Sequence, residues 1–349
     1  MNVGLRARPW AGLDVGEYSV KLLALLPGVG GSRHFAAEVP LRRENGAVPL
    51  PADTLARLIG ECFAQAGLSP RAMAGVTLGL SGPDVIVRHV SLPLMDDDEV
   101  GGALRFEARK HLPFDPQSCV LDYQVLGRYP SEKRLELLLA AVPQLRLDRA
   151  LAPLRLLGVE ADIVDAAPLA LTNALARGGE RESEARVLLD FGHSGSWLTL
   201  HQRGAPYFAR RLDFGGASVT EAISRALRVP VAEAEEWKLE AGSDDPSIRV
   251  GPEMPEMLAV RDSLRTLGDE LRRSFAFYRT LAPLPEPFSL WISGSTARIP
   301  GIAGHLSEIL DVATFVFDPL DALGAEHRDS SPAGGPQYAL AYGLSLRVA

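Results

Sequence analysis

The chain has little cysteine and almost no lysine. Its 349 residues include two cysteines, Cys62 and Cys119, whose spacing suggests neither a disulfide framework nor a zinc site. Of 36 basic side chains only four, at positions 21, 110, 133 and 238, are lysine. Where arginine is the default, each ammonium marks a place that needs a compact charge. No apolar run approaches the ~18–20 residues that span a bilayer. The opening "MNVGLRARPWAG" lacks the apolar region of a signal peptide, so a cytoplasmic protein is expected. A net charge of −8 argues against a general nucleic-acid binder, which needs a basic face. There is no G-x-x-x-x-G-K-[ST] run and no Gly-Lys pair at all, which excludes a P-loop. His-x-x-x-His metal spacing and Gly-x-Ser-x-Gly elbows are missing too.

What is present is apolar material for two lobes: 46% of the residues are hydrophobic. The stretch "WAGLDVGEYSVKLLALL" reads as two apolar strands joined by a short turn, with Asp14 inside the first. A carboxylate buried in such a strand costs several kcal/mol unless something pairs with it, on the order of the penalty for an unpaired polar group. Further on, "ARVLLDFGHSGSWLTLHQRG" repeats the pattern around Asp190, and the two aspartates lie half a chain apart. A two-lobed protein with duplicated topology is expected.

Between these hairpins come a helix over "ADTLARLIGECFAQAGL", a strand over "AGVTLGLSG", and an α+β unit of residues 87–164. The latter opens on a helix with Asp96 and Glu99 placed as a capping box. It continues through the strand pair "VLDYQVLG" and "RLELLLAAVP", and the helix "LRLDRALAPLRLLG" and strand "VEADIVD" complete it. "ARGGERESEAR" has linker composition. In the second half, Ser218 and Glu221 are spaced as a capping box directly after Gly215-Gly216. The helix of "VPVAEAEEWKLEAG", a long helix to Thr280, the strand "FSLWISG", a helix after "STARIPG", a surface loop over "DALGAEHRDSSPAGGP" and a closing helix follow.

Two tight turns of small residues, one per lobe, can each point backbone N–H groups at an anion. Facing one another they would hold a chain of phosphates, with Asp14 and Asp190 near a bridging divalent ion; magnesium suits such a site, with few carboxylates and several waters. Gly16, Ser19 and Lys21 belong to the first turn, and Gly192 and Ser194 to the second. Gly215 and Gly216 permit close backbone approach, and the helix after them aims its positive end at the cleft. Gly294, Ser295 and Arg298 form a small-residue turn suited to passing beneath a nucleoside. Glu235 and Lys238, three apart on a helix, share a face and suit a ribose or base edge; a surface ion pair is the alternative.

The order of "GLDVGEYSVKL", "LLDFGHSGSWLTL" and "WISGSTARIPGI" resembles the phosphate-1, phosphate-2 and adenosine motifs of the actin-like ATPase superfamily. Within it, "EARKHLPFDPQSCVLDYQVLG", "DFGGASVTEAISRAL", "AEEWK", "ELRRSFAFYRT" and "AYGLSLR" resemble the type IV pilus assembly PilM family. The resemblance implies an α/β, ribonuclease H-like, two-lobed fold of FtsA type. Subdomain 1A would take residues 1–86, 165–184 and 331–349, and 1C residues 87–164. Subdomain 2A would take residues 185–227 and 286–330, and 2B residues 228–285. It also implies ATP with Mg2+ between the lobes, and a partner in the N-terminal cytoplasmic peptide of the membrane protein PilN. Further partners would be the pilus motor and alignment complex that serve twitching motility. Membrane association would then run only through partners, and a homo-oligomer stays open.

Departures from the motifs bear on activity. Glu17 stands where the first turn usually carries a small residue, and His193 and Trp197 are unusual in the second. Ala167 fills the position where relatives carry an acidic or amide residue near the attacking water, which leaves Asp165 as the candidate catalytic group. A scaffold that binds nucleotide and hydrolyses it slowly or not at all is expected. A type II secretion paralogue, a small-molecule kinase of the same fold and an FtsA-like cell-division protein stay open as alternatives.

Overall fold

The strand Trp10–Val15 (β1) is buried on both faces, as a near-continuous apolar run demands of a central strand. The structure, a computed structural model, describes residues 8–28, 31–41, 50–176, 186–202, 205–243, 245, 247–281, 288–323 and 335–347. The linker "ARGGERESEAR" and the loop "DALGAEHRDSSPAGGP" lie largely outside these residues.

β1 turns tightly into Ser19–Gly28 (β2), and Gly31–Pro40 (β3) continues the antiparallel meander. The helix Ala52–Gln65 (α1) then carries the chain across to Gly75–Leu80 (β4), parallel to β1 on its other side, the crossover that parallel pairing requires. Ile163–Ala166 (β8) completes a five-stranded sheet of order β3-β2-β1-β4-β8.

The second half repeats this sheet. Arg186–Phe191 (β9), Ser196–Gln202 (β10) and Ala205–Leu212 (β11) form the meander, and Ser289–Gly294 (β12) and Thr314–Val316 (β13) join in parallel. The order is β11-β10-β9-β12-β13, the same permutation as in the first sheet. Asp14 is the fifth of six residues in β1, and Asp190 the fifth of six in β9. The duplication expected from the two hairpins is therefore a duplication of whole sheets, with the aspartates at one topological position.

Between β4 and β8 lies a third sheet of Ile86–Pro93 (β5), Cys119–Tyr129 (β6) and Arg134–Pro143 (β7), antiparallel with β7 central. The helix Asp97–Glu107 (α2) begins where the capping box places it, with the Glu99 carboxylate accepting from the Asp96 N–H at 3.3 Å. The period of two along β7 divides its neighbours. Leu135, Leu137 and Leu139 meet Val100 and Leu104 of α2, while Leu138 and Val142 face the core between the lobes. The last helix and strand expected of this unit belong elsewhere. Gln144–Leu156 (α3) contributes Leu154 to the core that holds Ile59 and Phe63 of α1, and β8 pairs with β4. Parallel pairing across the first sheet outweighs the adjacency in sequence that suggested otherwise.

Ala167–Ala176 (α4) and the closing helix Ala339–Ser345 (α10) sit between the two sheets. Ala170, Leu171, Ala174 and Leu175 of α4 share one core with Leu188, Trp197 and Ala209 of the second sheet and with Tyr338, Tyr342 and Leu344 near the chain's end. α4 and α10 approach so closely that a Cβ on Gly343 would lie 1.9 Å from the Ala170 carbonyl oxygen. Trp197 adds a polar tie, its indole N–H donating to Ser81 Oγ at 3.0 Å. The outer helices of the second half are Gly216–Leu227 (α5), Val231–Ala241 (α6), Pro255–Leu281 (α7), Ile302–Leu310 (α8) and the short Pro319–Ala322 (α9).

Candidate functional site

Both aspartates sit near the carboxyl ends of central strands, the edge where α/β sheets place their ligands. There the two lobes enclose a cleft of about 1100 Å³. Asp14, Gly16 and Lys21 line it from the first lobe, and Asp190, Gly192 and Ser194 from the second. Gly216, Glu235 and Lys238 border it as well, as do Gly294, Ser295 and Arg298. Twelve residues singled out from scattered stretches of sequence thus meet in one place.

The surroundings of the two carboxylates differ. Asp14 faces Lys21 across the β1–β2 ladder, with Nζ 3.9 Å from Oδ2. The same ammonium lies 3.8 Å from Glu38 Oε1 on β3. Burial pushes the Asp14 carboxyl above its ordinary range; Lys21 draws it back and Glu38 adds to the rise. Asp190 has Trp197 opposite it on β10, and from β12 the Ser293 hydroxyl donates to Oδ1 at 2.7 Å. Burial pushes its pKa up to about 6; the Ser293 hydrogen bond opposes this, and the nearby charge of Asp14 adds to it. Two buried carboxylates across a cleft, one of them raised by the charge of the other, are a place where a divalent cation gains. Among the described residues no cluster of three or more His, Cys, Asp or Glu forms a metal cage. The donor set fits an ion such as magnesium, which takes its other ligands from water and phosphate.

Glu235 and Lys238 form a buried network. Lys238 Nζ donates to Glu235 Oε2 at 2.7 Å, to Thr220 Oγ1 at 2.8 Å and to the Gly216 carbonyl at 3.0 Å. With Lys238 only 8% exposed, the surface-pair alternative is set aside: the ammonium clips α6 to the first turn of α5. Burial pushes the lysine pKa down, and Glu235 opposes the shift.

The start of α5 differs from expectation in two ways. Its N-cap is Gly215, not Ser218. Ser218 lies three residues on, and its hydroxyl accepts from the Gly215 N–H at 3.2 Å. The N–H groups of Gly216 and Ala217 do not face the cleft freely; they donate to the carbonyls of Gly192 and His193, each at 2.9 Å. The helix end therefore braces the second turn from behind. That contact explains Gly215, where a Cβ would lie 2.5 Å from the His193 oxygen.

Ser19 is buried and does not line the cleft; its hydroxyl donates to Glu38 Oε1 at 2.7 Å and fixes the partner of Lys21. Glu17 is exposed at the rim. Asp165 is not in the cleft either. It pairs with Arg347 at 3.1 Å, and burial raises its pKa while Arg347 opposes the rise. The Arg347 pairing engages the carboxylate that the sequence offered for orienting water.

Residues that sequence reasoning passed over complete the site. Glu38 had a visible signal, since it falls opposite the scarce Lys21 once β2 and β3 are paired. Arg211 of β11 donates to Ser194 Oγ at 2.9 Å and places a guanidinium over the second turn. Tyr18 reaches from the first turn to the second lobe, its ring 5.3 Å from that of His193. Nothing local in the sequence announces that contact.

A family model described as "Type IV pilus assembly protein PilM" matches residues 12–349. A solved structure of a "PilM-PilN type IV pilus biogenesis complex" is 28% identical, with a TM-score of 0.80 over 98% of either chain. MreB 5 of Spiroplasma citri, bound to AMPPNP, superposes with a TM-score of 0.51 at 14% identity over 96% of this chain and 94% of that one, a likeness of fold. The cell division protein FtsA of Borreliella burgdorferi is 24% identical over 195 residues. That match spans 50% of this chain and 46% of FtsA, so the chain covers about half the length of this relative. The two-lobed actin-like fold follows from these likenesses together with the duplicated sheets.

Proposed function

The chain belongs to the type IV pilus assembly protein PilM family, and on that premise we propose that it is a nucleotide-binding scaffold of a pilus inner-membrane complex. It holds Mg-ATP between its lobes and the N-terminal tail of a PilN-like membrane protein on its surface. The observation that carries this reading is the pair of aspartates at one topological position in two copied sheets, facing one cleft. Bound magnesium would supply positive charge between the phosphates, with Asp14 and Asp190 holding it directly or through water. Lys21 would neutralise phosphate oxygens, Arg211 and Ser194 would position the second turn, and Glu235 would take ribose hydroxyls. Support for the partner comes from the PilM–PilN complex that this chain resembles. The division into 1A, 1C, 2A and 2B is part of the same reading, with the inserted 1C unit centred on the β5-β7-β6 sheet. No helix among the described residues is long and apolar enough to cross a membrane, which fits a cytoplasmic protein held at the membrane by its partners.

Titration calorimetry tests the cleft. Mg-ATP is expected to bind the wild-type protein, and Asp14→Ala and Asp190→Ala are each expected to weaken binding at least tenfold and to remove its magnesium dependence. Unchanged, metal-independent affinity in both variants would sink the reading.

A further inference from the structure

The two turns that would clasp a polyphosphate are already in contact with each other. Tyr18, on the β1–β2 turn, lays its ring against His193 of the β9–β10 turn, with centroids 5.3 Å apart and planes inclined by 34°. The Tyr18 phenol also lies close enough to Glu235 to feel the charge of its carboxylate. Glu235 in turn is held by Lys238 at 2.7 Å and Thr220 at 2.5 Å. A single side chain from the first lobe therefore packs on the phosphate-side turn of the second and stands beside its nucleoside-side helix.

We propose that Tyr18 is a latch that closes the cleft when it is empty and must be displaced by the incoming nucleotide. This rests on the nucleotide reading of the cleft. A carboxylate has a limited set of acceptor positions, and Glu235 already serves an ammonium and a hydroxyl from its own lobe. Both of these donors sit on Oε2, and the phenol beside the carboxylate stands where a ribose hydroxyl would approach its other oxygen. The ring contact with His193 bridges the gap through which phosphates would pass. Burial, with the Glu235 charge beside it, pushes the Tyr18 pKa up to about 12, so the phenol stays a donor throughout the physiological range. Tyr18 thus sets nucleotide affinity without being required for it.

The test uses the full chain with Tyr18→Ser and Tyr18→Phe, the latter keeping the ring and losing only the hydroxyl. Hydrogen exchange of the nucleotide-free protein reports on the latch, and titration with Mg-ATP reports on competition. Tyr18→Ser is expected to speed exchange at residues 193–195 and to tighten Mg-ATP binding three- to tenfold. Tyr18→Phe is expected to tighten binding with less change at the turn. Unchanged exchange in Tyr18→Ser overturns the latch. Faster exchange with unchanged or weaker affinity, in a protein whose wild type binds Mg-ATP, overturns the competition. If neither wild type nor variants bind Mg-ATP, the nucleotide reading itself has failed and the competition falls with it, whatever exchange shows.

Discussion

At the scale of single residues, the informative group is Asp190, raised from 3.8 to about 6. A carboxyl raised on folding favours the protonated native state. Its contribution to stability is complete below pH 3.8 and is lost as pH climbs through 6. The full rise corresponds to about 3 kcal/mol, and partial exposure of this side chain lowers that to about 1–2 kcal/mol, in line with solvent screening. Asp190→Asn is therefore expected to match or exceed the wild type in urea unfolding at pH 7.5 without magnesium. The variant should also flatten the stability profile between pH 4 and pH 6. Magnesium acts in the opposite sense, because it needs the ionised form. With nucleotide present, the magnesium-dependent rise in Tm should be full at pH 7.5 and fade below pH 6, and a pH-independent rise would show that Asp190 is not near the ion. Glu17, exposed at the rim, lies where solvent and salt screen its charge. Replacing it with serine is expected to change Mg-ATP affinity less than about threefold, and less still at high ionic strength.

At the scale of elements, α4 and α10 cross between the two sheets with no room at Gly343. The atom in the way is a backbone oxygen, which cannot swing aside as a side chain would. Gly343→Val is expected to destabilise the whole chain by at least about 2–3 kcal/mol, the upper end of overpacking costs, read as a lower urea midpoint. An unchanged midpoint would mean that the helices can separate. Much of the element order could be read in the sequence because it is written locally. Apolar strands flank the Asp-x-Gly turns, glycine and proline punctuate, and Asp96 with Glu99 starts α2. Long-range pairing was not legible. β8 belongs to the first sheet because of β4, 86 positions upstream in every register pair, as in Leu80 with Ala166. α5 begins at Gly216 rather than after Ser218 because carbonyls of the preceding turn receive its first N–H groups. Asp165 looked available for water, and its partner is Arg347 at the far end of the chain. The aspartates at the cleft were readable because each is an unexplained charge in an apolar strand. Tyr18 was not, because a tyrosine in a turn carries no such contradiction.

At the scale of the whole molecule, the proposed nucleotide cleft is not lined by Asp165, which pairs with Arg347, and Ala167 is buried in α4. Groups that position water are worth about 10²–10⁴-fold, so turnover is expected to stay below ~1 s⁻¹, the low end of ordinary enzymes. A faster steady-state rate in a coupled assay would revive the kinase and active-ATPase readings. A slow enzyme that binds tightly suits a scaffold, whose output is a held partner. On the proposed reading, the short tail docks on the inserted unit. Leu94 is 38% exposed at the end of β5, and Phe114 is only partly buried against the core of the same unit. Both flank α2 in irregular backbone, where an extended peptide finds pockets for side chains and groups for main-chain hydrogen bonds. A peptide of the first ~10–15 residues of a PilN-like membrane protein, the length of a typical extended recognition motif, should bind the purified protein. It should also slow hydrogen exchange in residues 92–96 and 112–115. Protection confined to the exposed strand β6 would move the docking site to the opposite edge of the inserted sheet. No binding with or without Mg-ATP would leave the scaffold reading without its partner.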